Sequence, residues 1–128
     1  MGQPSPDLNP IALTCGEPAG IAPEITAKAW LALRDASAAT FFLIGDGDYF
    51  SSRAAEAGIS ITMAKISAPG EAREIFPTAL PVLHCPLAAL PKPGIIDPAT
   101  AKGVIAAIEE GVALTMAGKA AAVVTNPI

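Results

Sequence analysis

Apolar residues along this chain gather into short runs cut off by glycine, proline or charge, and the runs alternate with stretches whose apolar positions keep helical spacing. Residues 11–15 are apolar, lie between Pro10 and Gly16, and are too few for a helix, so they predict a buried strand. A loop over 16–22 follows. Pro23 suits the first position of a helix, Glu24 favours its positive end, and Ile25, Ala29 and Ala32 share one face, which predicts a helix fading near Asp35. Residues 41–44 form a second apolar run, ended by Gly45-Asp46-Gly47. Asp48 is then placed to cap a helix reaching Ala57, which Gly58 terminates.

Loose alternation over 59–66 predicts a third strand, and 80–84 a fourth. This fourth run lies in a region, 68–98, with prolines at 69, 77, 81, 86, 91, 93 and 98, which forbids long regular structure and favours loops or edge strands. Asp97-Pro98 marks a helix start, an N-cap followed by proline. Ala101, Ile105, Ile108, Val112 and Met116 keep helical spacing until Gly118. Residues 120–125 predict a further buried strand, with a turn at Asn126-Pro127. Short apolar strands separated by helices predict an α/β fold, a mostly parallel sheet with helices on both faces. No internal repeat is evident.

With 128 residues, 52% of them hydrophobic, the chain can bury one core and is too short for two ordinary domains. A net charge of -4 speaks against a nucleic-acid or anionic-membrane partner, each of which needs a surplus of Lys and Arg on one face. The two cysteines, Cys15 and Cys85, lack the close paired spacing of a structural zinc site and form no disulfide framework, so they read as reduced thiols of a soluble cytoplasmic protein. Residues 1–10 hold no basic residue and no apolar run, which predicts a mobile tail and neither a secretory signal nor a membrane anchor.

In an open parallel sheet, ligands sit beyond the carboxyl ends of the strands, so the informative loops are 16–22, 45–47 and 125–127. The first joins a strand to a helix through Gly16, Glu17, Pro18, Ala19, Gly20 and Ile21, with glycines that permit close backbone approach and helix amides that could receive an anion. Its spacing is not that of a dinucleotide fingerprint, and no Walker lysine follows. Thr125 and Asn126 close the last strand on the same side. Glu17 reads first as a hydrogen-bond acceptor for loop amides and second as a charge near a metal. His84, the sole histidine, reads as a strand-end residue, since one imidazole beside one thiol cannot complete a metal site. Asp46 and Asp48 lack the further oxygen ligands of a calcium loop and read as turn and cap. Glu109 and Glu110 belong to a solvated face, and Trp30 to packing or a subunit contact.

Residues 16–24 read Gly-Glu-Pro-Ala-Gly-Ile-Ala-Pro-Glu. They resemble the GEPAGIGPE or GDPAGIGPE signature that follows the first strand of the 4-hydroxythreonine-4-phosphate dehydrogenase family. The helix begun at Asp97 and the segment Val123-Val124-Thr125-Asn126-Pro127-Ile128 are similar to that family's helix and its VT-x-P-[IL]-x-K stretch, while the middle of the chain matches loosely. Ala22 departs from the family's usual glycine, and its methyl is expected to narrow the loop.

The resemblance implies the first domain of a two-domain isocitrate-dehydrogenase-like fold, with 11–128 as the amino-terminal portion of a truncated dehydrogenase domain. It also implies oxidation by NAD of a small phosphorylated hydroxy acid, 4-phosphooxy-L-threonine, followed by decarboxylation, in the biosynthesis of pyridoxal phosphate by a cytoplasmic homodimer. A divalent metal (zinc, magnesium or cobalt) would be held by three histidines downstream of this sequence, as would the groups that bind the substrate phosphate. Similar proteins act on 4-phosphorylated threonate or erythronate, or on carboxylated aromatic dihydrodiols. Outside the resemblance stands a small domain that binds a ligand or partner without catalysis.

Overall fold

A computed structural model describes residues 9–128 of the chain. Five strands and four helices follow in the order β1 (Ile11–Thr14), α1 (Ala22–Leu33), β2 (Phe41–Gly45), α2 (Gly47–Glu56), β3 (Met63–Ile66), α3 (Ala72–Ile75), β4 (Leu80–His84), α4 (Ala101–Met116) and β5 (Val123–Thr125). Every strand pairing is parallel, in the order β3-β4-β2-β1-β5. The α/β architecture predicted from the alternation of runs is therefore the one observed. Of the expected tail at 1–10, only Asn9 and Pro10 lie within the described residues. Both are tied down, Asn9 Nδ2 donating to the Gly118 carbonyl and Pro10 O accepting from Ala121 N.

The centre of the sheet is the apolar run FFLIG of β2, buried along its whole length because β1 and β4 flank it. Its side chains alternate between the faces, so Ile44 and its neighbour Leu83 point one way and Leu43 and Val82 the other. On the Ile44 side lies α4, whose Gly111 faces Thr14, Ile44 and Val123. On the Val82 side lies the start of α2, where Gly47 meets Val82. Helix α1 packs against α2. Its buried Trp30 donates from Nε1 to the Phe76 carbonyl at 2.8 Å, which makes Trp30 a packing residue.

Several boundaries and faces differ from the sequence pattern. The expected strand over 59–66 is paired only at Met63–Ile66, because Ile59 N turns back to the Ala54 carbonyl to end α2. The expected buried strand over 120–125 is paired at Val123–Thr125 and forms an edge of the sheet, leaving Val124 exposed. Helix α2 begins at Gly47, and its cap is Asp46, whose Oδ1 accepts from Tyr49 N, whereas Asp48 sits exposed in the first turn. Asp97 does cap the last helical segment, accepting from Ala99 N, although Pro98 first opens a short 3-10 turn.

The buried face of α1 is Ala22, Pro23, Thr26, Ala27 and Trp30; of the expected stripe, Ala29 packs against the core, Ile25 is half-buried and Ala32 is exposed. The departure from the expected stripe is larger in α4. Ala107 and Gly111 are buried against the sheet, while Ile105, Val112 and Met116 of the expected stripe are 56%, 45% and 83% exposed. In α4 the fully buried positions are thus held by its smallest residues. Helix α4 comes so close that a Cβ added at Gly111 would stand 2.7 Å from Val123 Cγ2.

That close approach reverses the usual effect of removing a helical glycine. Gly111→Ala is expected to destabilise the fold by about 1–3 kcal/mol, since the Val123 methyl is short and cannot swing clear. Gly103→Ala, in the same helix, meets nothing nearer than 3.6 Å and is expected to stabilise by about 0.5–1 kcal/mol through propensity. Urea unfolding of the two variants beside the parent protein checks the opposite signs.

Candidate functional site

The loop 16–22, expected beyond the carboxyl end of β1, does lie there, and it meets the turn 125–127 after β5. Glu17 N donates to the Pro127 carbonyl at 2.9 Å. The buried Asn126 side chain donates from Nδ2 to the Thr14 carbonyl and to Thr26 Oγ1, each at 3.0 Å. One amide thus ties β1, α1 and the end of β5. The contact is tight enough to require glycine at position 16, which has φ +62° and whose missing Cβ would fall 2.6 Å from both Asn126 Cβ and Pro127 O.

Glu17 uses its carboxylate within the loop, Oε1 accepting from Ala19 N at 3.0 Å, and the Glu17 carbonyl accepts from Gly20 N at 3.0 Å. This is the acceptor role expected for Glu17. It also changes the picture of the loop, because the amides of Ala19 and Gly20 are not left pointing at an anion, and Pro23 has none to offer. Ala22 is the first residue of α1 and fully buried, so its methyl fills core space and does not narrow the loop. Ile21, by contrast, stands exposed at the helix entrance.

The carbonyls of the loop are held from below. Arg53 of α2, only 7% exposed, donates from Nη1 to Pro18 O at 2.9 Å and from Nη2 to Gly20 O at 3.1 Å. Gly94 N donates to Ala19 O at 2.7 Å. The Tyr49 hydroxyl lies 2.8 Å from Pro91 O and 3.1 Å from Pro18 O, and accepts from Arg53 Nη1 at 2.9 Å. Asp46 adds a further tie, its Oδ2 accepting from Leu87 N. The 45–47 loop and α2 therefore join the signature loop to the proline-rich segment. Arg53 and Tyr49 were not singled out from sequence. Nothing local marks them, since their partners lie more than thirty positions away in the chain.

The two thiols flank Gly45. Cys15 packs beside it, and Cys85 N donates to its carbonyl. Burial, reinforced by the neighbouring Cys85 and more weakly by Glu17, pushes the Cys15 thiol up from 9.0 to about 11. Burial also raises Cys85, with Glu110 and Asp46 adding to the effect. Both are free, weakly acidic thiols, poor nucleophiles near neutrality. His84 is exposed at the end of β4, and among the described residues no group of three or more His, Cys, Asp or Glu side chains could hold a metal ion. The described residues by themselves thus supply no complete donor set for the implied metal. The Ala19 and Gly20 amides of the loop are likewise engaged by Glu17 and not offered to an anion. No helix among the described residues is long and apolar enough to cross a membrane.

A parallel sheet that gathers a glycine-bearing strand-to-helix loop and the turn after a neighbouring strand at one carboxyl edge is an open-sheet α/β domain, the class in which ligand crevices form at that edge. The chain belongs to the family described as pyridoxal phosphate biosynthetic protein PdxA, whose model matches residues 37–128. A 4-hydroxythreonine-4-phosphate dehydrogenase of Methylorubrum extorquens is 42% identical over 124 residues, covering 95% of this chain and 35% of that protein. One from Ruegeria sp. is 44% identical over 118 residues, covering 92% and 33%. Among solved structures, the 4-hydroxythreonine-4-phosphate dehydrogenases of Klebsiella pneumoniae and Burkholderia phymatum superpose with TM-scores of 0.76 and 0.78 at 26% and 25% identity. They cover 93% and 92% of this chain, and 37% and 36% of theirs. The chain thus spans about a third of the length of the relatives it matches.

The buried thiols give the fold a pH dependence of known sign. Above pH 9.0 the unfolded Cys15 loses its proton while the folded one keeps it up to about 11, so the unfolded state binds fewer protons and stability falls as pH rises through that window. The loss from Cys15 is expected to approach about 1.4 kcal/mol per pH unit. Urea unfolding at several pH values should show this slope in the parent protein and a shallower one in Cys15→Ala, the raised Cys85 contributing in the same direction.

Proposed function

We propose that this chain forms the first α/β unit of an NAD- and divalent-metal-dependent dehydrogenase that oxidises 4-phosphooxy-L-threonine at a secondary hydroxyl and releases carbon dioxide from the resulting keto acid, on the route to pyridoxal phosphate. The observation that carries this reading is the family match, joined to the structure of residues 16–24. The signature loop is held rigidly against the turn after β5, at the sheet edge where substrates bind in open α/β folds. A bound metal would supply Lewis acidity to the hydroxyl and then the ketone. What these residues contribute is a fixed wall, made of Glu17 to Ile21 and Asn126. The exposed apolar side of α4 supports an assembly in which that side is covered, and a homodimer working in the cytoplasm is the form we assign.

The test is NADH formation by the protein as its gene encodes it, with 4-phosphooxy-L-threonine and added zinc, magnesium or cobalt. Turnover preferring this substrate to 4-phosphorylated threonate, erythronate or an aromatic dihydrodiol carboxylate is expected, and preference for one of these would change the substrate while keeping the chemistry. Residues 1–128 produced alone are expected to form no NADH and to bind the metal no better than a generic acidic surface does, since one imidazole cannot replace three. Turnover by that fragment near the level of the whole protein would overturn the placement of the chemistry outside these residues.

A further inference from the structure

We infer that Arg53 is a positioning residue: with Tyr49 it clamps the Glu17–Gly20 loop and the segment around Pro91 to α2, and so sets the shape of the candidate site's wall from behind. As a role in turnover, this rests on the dehydrogenase reading above. As a clamp, it rests on geometry alone. A guanidinium is costly to bury, and the usual compensation is a carboxylate in contact. Here the nearest is Glu56, 3.7 Å from Nε and itself mostly exposed. The donors are aimed instead at backbone, Nη1 at Pro18 O and Nη2 at Gly20 O.

With Gly94 N on Ala19 O and Gly20 N on Glu17 O, four consecutive loop carbonyls have defined partners. The Tyr49 hydroxyl accepts from Arg53 and reaches Pro91 O, so the cation, the phenol, the loop and the proline-rich segment form one connected network. Packing alone does not hold that segment. A cavity of about 400 Å³ opens between it and α2, lined among others by Tyr49, Arg53, Leu90 and Pro91, and Leu90, Ile95 and Ile96 are exposed. Hydrogen bonds to Tyr49, Asp46 and Ala19 therefore fix where it lies.

The experiment uses the protein as encoded and three variants, Arg53→Met, Arg53→Lys and Tyr49→Phe, read by amide hydrogen exchange and by turnover. In Arg53→Met, exchange at the amides of Ala19, Gly20 and Gly94 is expected to rise about tenfold or more while that of Leu43 in β2 stays as in the parent. Turnover with 4-phosphooxy-L-threonine is expected to fall by about ten- to a hundredfold in kcat, because a wall displaced by about an ångström misaligns the substrate. Arg53→Lys, able to reach one carbonyl at a time, should recover part of both. Tyr49→Phe should loosen Gly94 more than Ala19, and it carries the test if Arg53→Met fails to fold. Equal rises at Leu43 would show a general loss of stability and overturn the clamp, as would loop amides that do not change. Loosened loop amides with kcat intact would overturn the role in turnover. A parent protein that forms no NADH would count against the proposed function alone, the exchange pattern then deciding the clamp by itself.

Discussion

The side-chain amide of Asn126 is the interaction from which the rest of this edge of the molecule follows. By donating to the end of β1 and to Thr26 of α1, it fixes how near the turn after β5 comes to the first strand. That distance leaves no room for a side chain at position 16, which is why the chain leaves β1 through a glycine in the left-handed region. Once the backbone has turned there, the carbonyls of Pro18 and Gly20 face α2, and a buried cation is the group that receives them. The order of causes runs from the last strand to the first loop and then to the second helix.

Much of the architecture was legible because its signals are local. Runs such as FFLI at 41–44 are too short and too apolar for anything but buried strands, and Asp97-Pro98 is a helix start by stereochemistry alone. The position of loop 16–22 against Asn126 also followed, since parallel strands put their carboxyl ends together. The helix face misread in α4 has its own cause. In α4, alanine and glycine occupy the fully buried positions while Ile105, Val112 and Met116 are exposed, so a search for bulky residues at helical spacing finds the wrong side. Periodicity reports that a face is apolar; which apolar face is covered depends on how close the sheet allows the helix to come.

The site was legible in its loop and illegible in its support. Glu17 could be assigned to the loop amides because acceptor and donors are neighbours in sequence. Arg53 lies mid-helix with no motif around it, and its partners at Pro18 and Gly20 are set only by tertiary structure. Asp46, read as part of a turn, has one local and one long-range duty: it caps α2 and holds Leu87 N. A buried charge directed at backbone carbonyls becomes visible only when the fold is in hand.

The segment after β4 shows what its prolines do before folding begins. Pro86, Pro91, Pro93 and Pro98 each restrict φ in the denatured chain, and each also confines the residue ahead of it to extended conformations. The disordered ensemble of this stretch is therefore already narrow, and ordering it surrenders less entropy than ordering an equal length of ordinary sequence. That is how a length of chain without strand or helix can be kept in register by the few bonds at Leu87, Pro91 and Gly94. Its definition in the native protein owes as much to the states denied to it when unfolded as to the contacts it makes when folded.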